Sequence, residues 1–179
     1  MLLAKRPYNE FVRLQSLRSL NILDTSHDAR LDSITTFAAQ IFEAPICLIS
    51  LVDANRQWFK AAVGLDVKEL PRNTSFCGHA ICDVNSNNPQ RRIYEVCDTR
   101  LDPRFFDNPL VVGDPWIQSY LGYVLQSESG SNLGTLCVID SVPRKYSESK
   151  KQLLILLGSM VENIIHGHHH LAGIEQKFI

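Results

Sequence analysis

Two pairs of adjacent strand-like segments constrain the fold of this chain more than any other feature. Residues 45–52 are almost continuously apolar, and residues 57–63 follow them after a short turn. Residues 116–126 and 133–140 repeat the arrangement around a polar loop. Because strands joined by a short loop run antiparallel, the two pairs predict hairpins of an antiparallel sheet rather than a doubly wound parallel fold.

Two helices are predicted before the first strand pair. Over residues 8–20, apolar residues recur at every third position, which is the spacing of a helix that covers a core: Phe11, Leu14, Leu17 and Leu20. Thr25 and Asp28 have the spacing of a capping box, so Thr25 is predicted to cap the second helix. Pro45 marks the end of this helix.

Shorter elements connect the two strand pairs. Residues 64–72 have the composition of a loop, Thr74 is predicted to cap a short helix through Ile81, and residues 92–96 are predicted to form a strand. A compact segment over residues 98–111 precedes the second pair. The order of helices and hairpins therefore predicts an α+β fold.

Charge, length and cysteine content restrict the partners of the chain. Its 179 residues include 18 basic and 19 acidic ones, and this near-balance argues against a nucleic-acid surface. The longest apolar run, residues 153–157, is far too short to cross a membrane, and the N-terminus lacks the apolar stretch of a signal peptide. Five cysteines without disulfide spacing predict reduced thiols, so we expect a cytoplasmic protein with no nucleic-acid or membrane partner.

Seven sequence blocks, in order, resemble a bacterial GAF domain of the type found at the N-terminus of sensor histidine kinases and diguanylate cyclases. The blocks are ILDT at 22–25, ISLVD at 49–53, RQWFK at 56–60, SFCGHAI at 75–81, DPRF at 102–105, NPLV at 108–111 and GTLCVID at 134–140.

The resemblance implies a single GAF domain over residues 1–179, with its core at 8–166 and a C-terminal helical extension at 167–179. It implies a central antiparallel sheet of about six strands, with the terminal helices on one face. Short helices and loops would roof a pocket on the other face. Such domains usually precede an output domain, for which 179 residues leave no room. We therefore expect the chain to act on a signalling protein in trans or to be a fragment of a longer sensor.

Two roof segments supply polar candidates for the pocket. By the resemblance, Cys77 and His79 sit near the roof, where a neutral imidazole can both donate and accept a hydrogen bond. Asp98 and Arg104 could be pocket groups, because a guanidinium holds a carboxylate or phosphate well. The segment 102–104 equally fits a surface turn, and both interpretations stay open.

The strands supply the remaining candidates. Trp58 and Tyr120 are core or cross-strand aromatics, of which one is expected to contribute to the pocket. Period two places Thr135, Cys137 and Ile139 on one strand face, and the polar threonine favours the pocket side. The predicted ligand-binding residues are Trp58, Ser75, Cys77, His79, Asp98, Arg104, Tyr120, Thr135 and Cys137.

Two clusters invite a metal interpretation that we do not adopt. Cys77, His79 and Cys82 would need a distant fourth ligand to close a zinc site, and core thiols beside a hydrogen-bonded histidine explain them more simply. His166 and His170 lie one helical turn apart and could chelate a divalent ion. A solvated helix end explains this pair more simply, so no metal ligand is predicted.

The C-terminal helix, capped by Ser147, carries two apolar stripes. One consists of Leu154, Val161 and Ile165. The other follows heptad spacing through Leu153, Leu157, Met160, Ile164, Leu171 and Ile174. One stripe can pack on the sheet, whereas the other needs the first helix or a second subunit. Because the helix is longer than one face of a small domain, we expect a homodimer through the terminal helices.

These patterns favour a small-molecule-sensing or signalling module without catalysis of its own. The ligand stays unidentified, and no cofactor is predicted, neither bilin nor haem. Bilin attachment in related domains uses an adjacent Cys-His pair, whereas Gly78 separates Cys77 from His79 here. The same resemblance leaves two alternatives open. One is a thiol reductase of free methionine sulfoxide, and the other is a dimerisation scaffold with a vestigial pocket.

Overall fold

A six-stranded antiparallel sheet forms the centre of the computed structural model, which describes the backbone of residues 1–175 and the side chains of residues 1–167. The strand order is β3-β2-β1-β6-β5-β4, so the two predicted hairpins lie side by side and join through β1 and β6. The strands are β1 Ile46–Val52, β2 Arg56–Val63, β3 Glu69–Pro71, β4 Ile93–Val96, β5 Ser119–Gln126 and β6 Asn132–Asp140.

The helices divide between the two faces of this sheet, which confirms the predicted α+β architecture. They are α1 Glu10–Ser19, α2 Ala29–Phe42, α3 Phe76–Asp83, α4 Pro109–Val112 and α5 Glu148–Glu175. Helices α1, α2 and α5 contact one face, and α3 with its neighbouring loops covers the other. None of the helices in the described part of the chain combines the length and apolar character needed to span a membrane.

Strand β3 is absent from the sequence prediction, which assigned residues 64–72 to a loop. It pairs its three residues with the start of β2, from Arg56 opposite Pro71 to Trp58 opposite Glu69. A strand of three residues is too short to show periodicity, so only its edge position on the finished sheet defines it.

Helix α2 begins later than its capping box predicts. Asp28 is its N-cap, and the Asp28 carboxylate accepts a hydrogen bond from the backbone N–H of Arg30 at 3.0 Å. The Thr25 hydroxyl instead donates to the Ile22 carbonyl at 2.6 Å and accepts from Lys60 at 2.7 Å. Because the helix begins at Ala29, Thr25 lies three residues before the N-cap and does not cap it.

The N-cap of α3 also lies later in the chain than predicted. Ser75, and not Thr74, is the N-cap, since the Ser75 hydroxyl accepts from the backbone N–H of Gly78 at 2.9 Å. Thr74 donates its hydroxyl to the Pro71 carbonyl at 3.1 Å and so closes the preceding turn. At α5 the predicted cap is confirmed, because Ser147 accepts from the backbone N–H of Lys150 at 3.3 Å.

The apolar stripes of the helices only partly follow the predicted spacing. On α5 the stripe of Leu154, Val161 and Ile165 is fully buried against the sheet, and Leu157 of the heptad stripe joins it. Met160 stays 46% exposed. Leu171 and Ile174 lie outside the residues whose side chains are described.

The buried face of α1 differs from the face that the apolar spacing predicted. Phe11 is 73% exposed, and Arg13 with Leu17 takes the buried positions. Arg13 can face the interior because the Glu10 carboxylate neutralises its guanidinium through two hydrogen bonds at 2.8 and 3.0 Å.

A buried ion pair ties α5 to the sheet. The Glu162 carboxylate accepts hydrogen bonds from Arg92 Nη1 and from the backbone N–H of Gln126, both at 2.6 Å. The Arg92 guanidinium also lies 4.7 Å from the centre of the Tyr123 ring. One turn further along α5, His166 Nε2 lies 2.9 Å from the Gln126 carbonyl oxygen. This cluster fixes the position of α5 relative to β5.

Replacing Glu162 should therefore destabilise the fold strongly. In Glu162→Ala the Arg92 charge is left buried without its partner, and we expect a loss of about 3–5 kcal/mol in the free energy of unfolding. Urea unfolding at pH 7 measures this loss. Glu148→Ala on the same helix is the matched control, because the Glu148 side chain is exposed, and we expect a change within about 0.5 kcal/mol. A loss below about 1 kcal/mol for Glu162→Ala contradicts the assigned role.

A second ion cluster joins α1 to the segment that precedes α3. The Glu10 carboxylate lies between the buried guanidinium groups of Arg13 and Arg72, and Arg72 also donates to the Asp53 carbonyl at 3.0 Å. Burial by itself would raise the pKa of Glu10. The hydrogen bonds and charges of the two arginines outweigh it and lower this pKa from 4.5 to about 2.

The depressed pKa of Glu10 predicts a defined pH dependence. Because the folded pKa lies below the unfolded one, the stabilisation is fully present above pH 4.5 and is lost as the pH falls towards 2. Glu10→Gln should lower the free energy of unfolding by about 1–2 kcal/mol at pH 7, after allowance for solvent screening. Urea unfolding at several pH values should show this difference shrink as the pH approaches 2. A difference that does not depend on pH contradicts the ionic origin.

Candidate functional site

A cavity of about 150 Å³ lies between the sheet and its roof of α3, α4 and the adjoining loops. Its walls are mostly apolar and come from β1, β6 and the roof, including Ile46, Leu48, Leu70, Ile117 and Ile139. Four lining residues carry polar atoms: Gln57, Cys77, Asp114 and Tyr120. The site is thus an apolar chamber with a small number of polar groups, which is the usual composition of a small-molecule pocket.

Strand alternation decides which residues reach this side of the sheet. On β6, Cys137 and Ile139 belong to the roof-side core, whereas Leu136 and Val138 belong to the helix-side core. This is the division that period two predicts for the strand. Thr135 follows the same alternation and contacts Cys77 of α3.

Tyr120 reaches the centre of the site because Gly122 has no side chain. A Cβ atom at Gly122 would lie 2.5 Å from the Tyr120 hydroxyl oxygen and inside the space of its ring. Since Tyr120 is fully buried, its ring has no other place to go. The hydroxyl therefore lies 3.1 Å from Thr135 Oγ1 and 3.5 Å from Cys77 Sγ.

Four side chains form a buried polar group, which we call the thiol cluster: Cys77, Tyr120, Thr135 and Cys137. The Thr135 hydroxyl donates to Cys77 Sγ at 3.1 Å, and the Tyr120 hydroxyl donates towards Thr135. All four side chains are at most 2% exposed. Only Cys77 and Tyr120 also line the cavity, so the cluster joins the cavity wall to the interior of the sheet.

The thiol cluster lowers the pKa of Cys77. The hydrogen bond from the Cys137 thiol is the largest cause, burial opposes it, and the Thr135 and Tyr120 hydroxyls add to the lowering. Burial raises the pKa of Cys137, so the negative charge of the pair is favoured on Cys77. Burial also raises the pKa of Cys47 to about 12 and that of Cys82 to about 11. Cys77 is therefore the thiol most readily ionised in this region.

Ser75 acts on the cavity through Gln57. While capping α3, the Ser75 hydroxyl donates to Gln57 Oε1 at 2.6 Å. This contact assigns the carbonyl end of the Gln57 amide to Ser75 and leaves the Nε2 end available as a donor. Sequence reasoning missed Gln57, although it precedes Trp58 on β2 and alternation places these two neighbours on opposite faces.

The structure does not bring Trp58 or His79 to the cavity. Trp58 lies in the helix-side core, whereas the next residue, Phe59, points to the other face of the sheet and belongs to the roof-side core. His79 Nε2 lies 3.0 Å from the Leu2 carbonyl oxygen, and its ring packs edge-on against Phe105. His79 therefore holds the N-terminal segment on the outer side of α3.

Asp98 and Arg104 stabilise surface turns. The Asp98 carboxylate accepts from the backbone N–H of Arg100 at 3.0 Å and pairs with the Arg100 guanidinium at 2.8 Å. Asp102 makes the corresponding contacts with Arg104, at 2.9 and 2.6 Å. The Arg104 guanidinium also pairs with Asp83 at 2.9 Å. Both predicted residues thus have carboxylate or guanidinium partners of their own, outside the cavity.

The side chains of the Cys77, His79 and Cys82 motif point to different partners. Cys77 contacts Thr135, His79 contacts the Leu2 carbonyl, and Cys82 contacts the Lys5 carbonyl. Among the residues with described side chains, no three His, Cys, Asp or Glu groups are arranged to hold a metal ion. The His170 side chain, part of the second metal interpretation, lies outside the described residues.

Comparison with known proteins places this architecture in one family. A sequence model of the GAF domain matches residues 26–165. The chain is 43% identical over 138 residues to the cyclic di-GMP phosphodiesterase PA2567 of Pseudomonas aeruginosa. The match covers 77% of this chain and 22% of the relative, so the chain spans about a fifth of that protein's length.

Solved structures show the same fold at low identity. The GAF domain of a phosphoenolpyruvate-protein phosphotransferase from Acinetobacter superposes with a TM-score of 0.64 at 21% identity, covering 89% of this chain and 95% of that one. The free methionine-R-sulfoxide reductase of Neisseria meningitidis superposes with a TM-score of 0.62 at 16% identity, covering 96% and 98%. These two likenesses concern the fold alone. The match of the GAF model over residues 26–165 shows that the chain belongs to the GAF domain family.

Proposed function

We propose that this chain is a regulatory GAF module that binds a small molecule in the cavity beneath α3. The observation that carries the proposal is the cavity itself, a mostly apolar chamber to which Gln57, Cys77, Asp114 and Tyr120 supply polar groups. Strand β5 connects this chamber to α5. Ligand binding that favours one arrangement of the roof would therefore bias the position of the terminal helix.

The size and lining of the cavity limit the ligand. A cavity of about 150 Å³ matches the volume in which a protein interior accommodates benzene. The expected ligand is therefore small and largely apolar, with one polar atom that accepts a hydrogen bond from Gln57 Nε2. A cyclic nucleotide exceeds this volume and would require the roof to move outwards.

The route from the cavity to α5 runs through both faces of β5. Tyr120 faces the cavity, whereas Tyr123 faces α5 and packs where Gly158 leaves space for its ring. Gln126, at the end of the same strand, donates its backbone N–H to Glu162. A shift of β5 beneath the roof therefore acts directly on the contacts that hold α5.

We extend to this chain a regulatory role in signalling, in keeping with its relative that is named as a cyclic di-GMP phosphodiesterase. In this proposal the chain itself binds and does not catalyse, and its output is the activity of a signalling partner. The alternative of a methionine sulfoxide reductase is less well supported by the site. Cys137, the thiol next to Cys77, is fully buried, so a protein reductant has no direct access to it.

A ligand screen with a cavity-filling variant tests the sensing proposal. Cyclohexanone, benzoate, branched-chain amino acids and cyclic nucleotides should be compared by thermal shift at pH 7. We expect a small apolar carbonyl compound to raise the melting temperature and cyclic nucleotides to leave it unchanged. Ile139→Trp should abolish the shift by filling the cavity, whereas the volume-conserving Ile139→Met should retain it.

Two outcomes of this screen contradict the sensing proposal. One is that no compound raises the melting temperature. The other is an equal shift in Ile139→Trp, which would place the binding elsewhere. The first result favours the dimerisation scaffold with a vestigial pocket, which predicts assembly without ligand binding.

Exposed apolar side chains on the terminal helices support a homodimer. Phe11 and Val12 on α1 are 73% and 52% exposed, and Leu156 and Met160 on α5 are 59% and 46% exposed. Apolar side chains that together form a contiguous exposed surface are usually covered by a partner. We include dimerisation through α1 and α5 in the proposal.

Sedimentation velocity measures the proposed dimer. We expect the wild-type chain to sediment as a dimer and the double variant Leu156→Glu/Met160→Glu to sediment as a folded monomer, because two charges per subunit oppose burial of the interface. Val142→Glu is the control, since Val142 is 49% exposed but lies outside the terminal helices. A monomeric wild-type chain, or a double variant that remains dimeric, contradicts the assignment.

A further inference from the structure

We propose that Cys77 captures small lipophilic α,β-unsaturated carbonyl compounds by covalent addition inside the cavity beneath α3. The inference rests on the proposed ligand-binding role of this cavity and names the chemical class of its ligand. Three features of the same chamber carry it. These are a cysteine in the wall, an amide side chain in the same wall, and a mostly apolar lining.

The nucleophile is placed by the start of α3. Ser75 caps this helix, and Cys77 in its first turn directs its sulfur onto the sheet, 3.1 Å from Thr135 Oγ1 and 3.5 Å from the Tyr120 hydroxyl. Donated hydrogen bonds favour the thiolate, which is the reactive form of a cysteine. Of the five cysteines, Cys77 is the one that lines the cavity in the described structure.

The electrophile is activated by Gln57. Because Gln57 Oε1 accepts the Ser75 hydroxyl at 2.6 Å, the Nε2 end of the amide is the end left to face a ligand. Gln57 and Cys77 line the same cavity. A carbonyl oxygen gains negative charge as a thiolate adds to a conjugated double bond, so a fixed amide donor stabilises the transition state more than the free reagent.

The apolar lining of the cavity favours lipophilic reagents over hydrophilic ones among the compounds that react with thiols. Hydrogen peroxide and other hydrophilic oxidants gain nothing from a lining of Leu48, Leu70 and Ile139, and they lose hydration on entry. A ring or chain of about six carbon atoms fills a cavity of about 150 Å³ and gains free energy by leaving water. The site thus favours a lipophilic carbonyl compound over a peroxide.

The addition is balanced without a further reactant. The Cys77 sulfur forms a bond to the β-carbon, and the electron pair of the carbon–carbon π bond moves through the α-carbon to the carbonyl oxygen. The resulting enolate then takes, at the α-carbon, a proton equivalent to the one lost from the Cys77 thiol. No group leaves, and neither an oxidant nor a reductant is consumed.

Cyclohexenone and cyclohexanone form a matched pair of probes, because they differ only in the conjugated double bond. The background is Cys82→Ser/Cys97→Ser, which removes two thiols that lie outside the cavity wall and are more exposed than Cys77. Intact-protein mass spectrometry at pH 7 should then show one cyclohexenone adduct per chain, with peptide mapping placing it on Cys77. Cyclohexanone should give no adduct and should slow the reaction by competing for the cavity.

Variants distinguish activation of the reagent by Gln57 from its access to the cavity. Adding Cys77→Ser to the background should abolish the adduct, and Gln57→Leu should slow adduct formation by about tenfold or more. Ile139→Trp should block the reaction, whereas Ile139→Met should retain it. Circular dichroism of each variant verifies the fold, and protection by cyclohexanone provides a test that needs no substitution in the site.

Defined outcomes overturn the proposal. These are an adduct that forms only after denaturation, an adduct on another cysteine, or a rate that cyclohexanone does not lower. If cyclohexanone raises the melting temperature of both the wild type and Cys77→Ser while no adduct forms, covalent capture is wrong and the sensing role stands. If cyclohexanone produces no shift and cyclohexenone no adduct, both proposals fail.

Discussion

Strand β5 carries a tyrosine on each face, and each ring occupies space that a neighbouring glycine leaves free. A Cβ atom at Gly122 would collide with Tyr120 on the roof side, and one at Gly158 would lie 2.0 Å from the Tyr123 ring on the helix side. Close packing of this kind leaves little freedom for one ring to move alone. The roof, the sheet and α5 are therefore joined through one strand, and the remaining features of the site depend on this arrangement.

The polar groups of the surface and of the cavity region divide into two sets with different roles. Asp28 with Arg30, Asp98 with Arg100, and Asp102 with Arg104 repeat one contact, in which an aspartate accepts from the backbone and the side chain two residues later. These pairs stabilise turns at the surface. The thiol cluster and Gln57 instead lie where apolar walls exclude water, and only there can a thiol and an amide act on a ligand with little competition from solvent.

The sequence was sufficient to predict the elements with strong periodicity. The hairpins of β1 with β2 and of β5 with β6, the alternation of residues on β6, and the division of helices between faces follow from short-range patterns and the family resemblance. The three-residue strand β3 could not be predicted, because its pairing is defined only by the assembled sheet edge. The caps at Thr25 and Thr74 were wrong, since the helices begin later and take Asp28 and Ser75 as their N-caps. Each threonine hydroxyl instead donates to a carbonyl three residues before it.

The candidate site was predictable only in part for a related reason. The family resemblance proposed Cys77 and Tyr120, and strand alternation proposed Thr135 and Cys137, and the structure brings these four together. Neither could show that Asp98 and Arg104 are engaged by neighbours two residues away. It also could not assign a face to Trp58 without knowing that Gln57 points to the cavity. The contacts that each side chain makes in the folded chain, and not its residue type, separate the residues near the cavity from those in surface turns.

Hydrogen exchange of the wild-type chain with and without saturating cyclohexanone tests the central claim most directly, because it reports the cavity and α5 in one experiment. We predict slower exchange in α3 and β5, together with altered exchange in α5 around Glu162, the residue that joins this helix to the sheet. Protection confined to α3 with α5 unchanged, or no protection at all, would contradict the coupling of the cavity to the terminal helix.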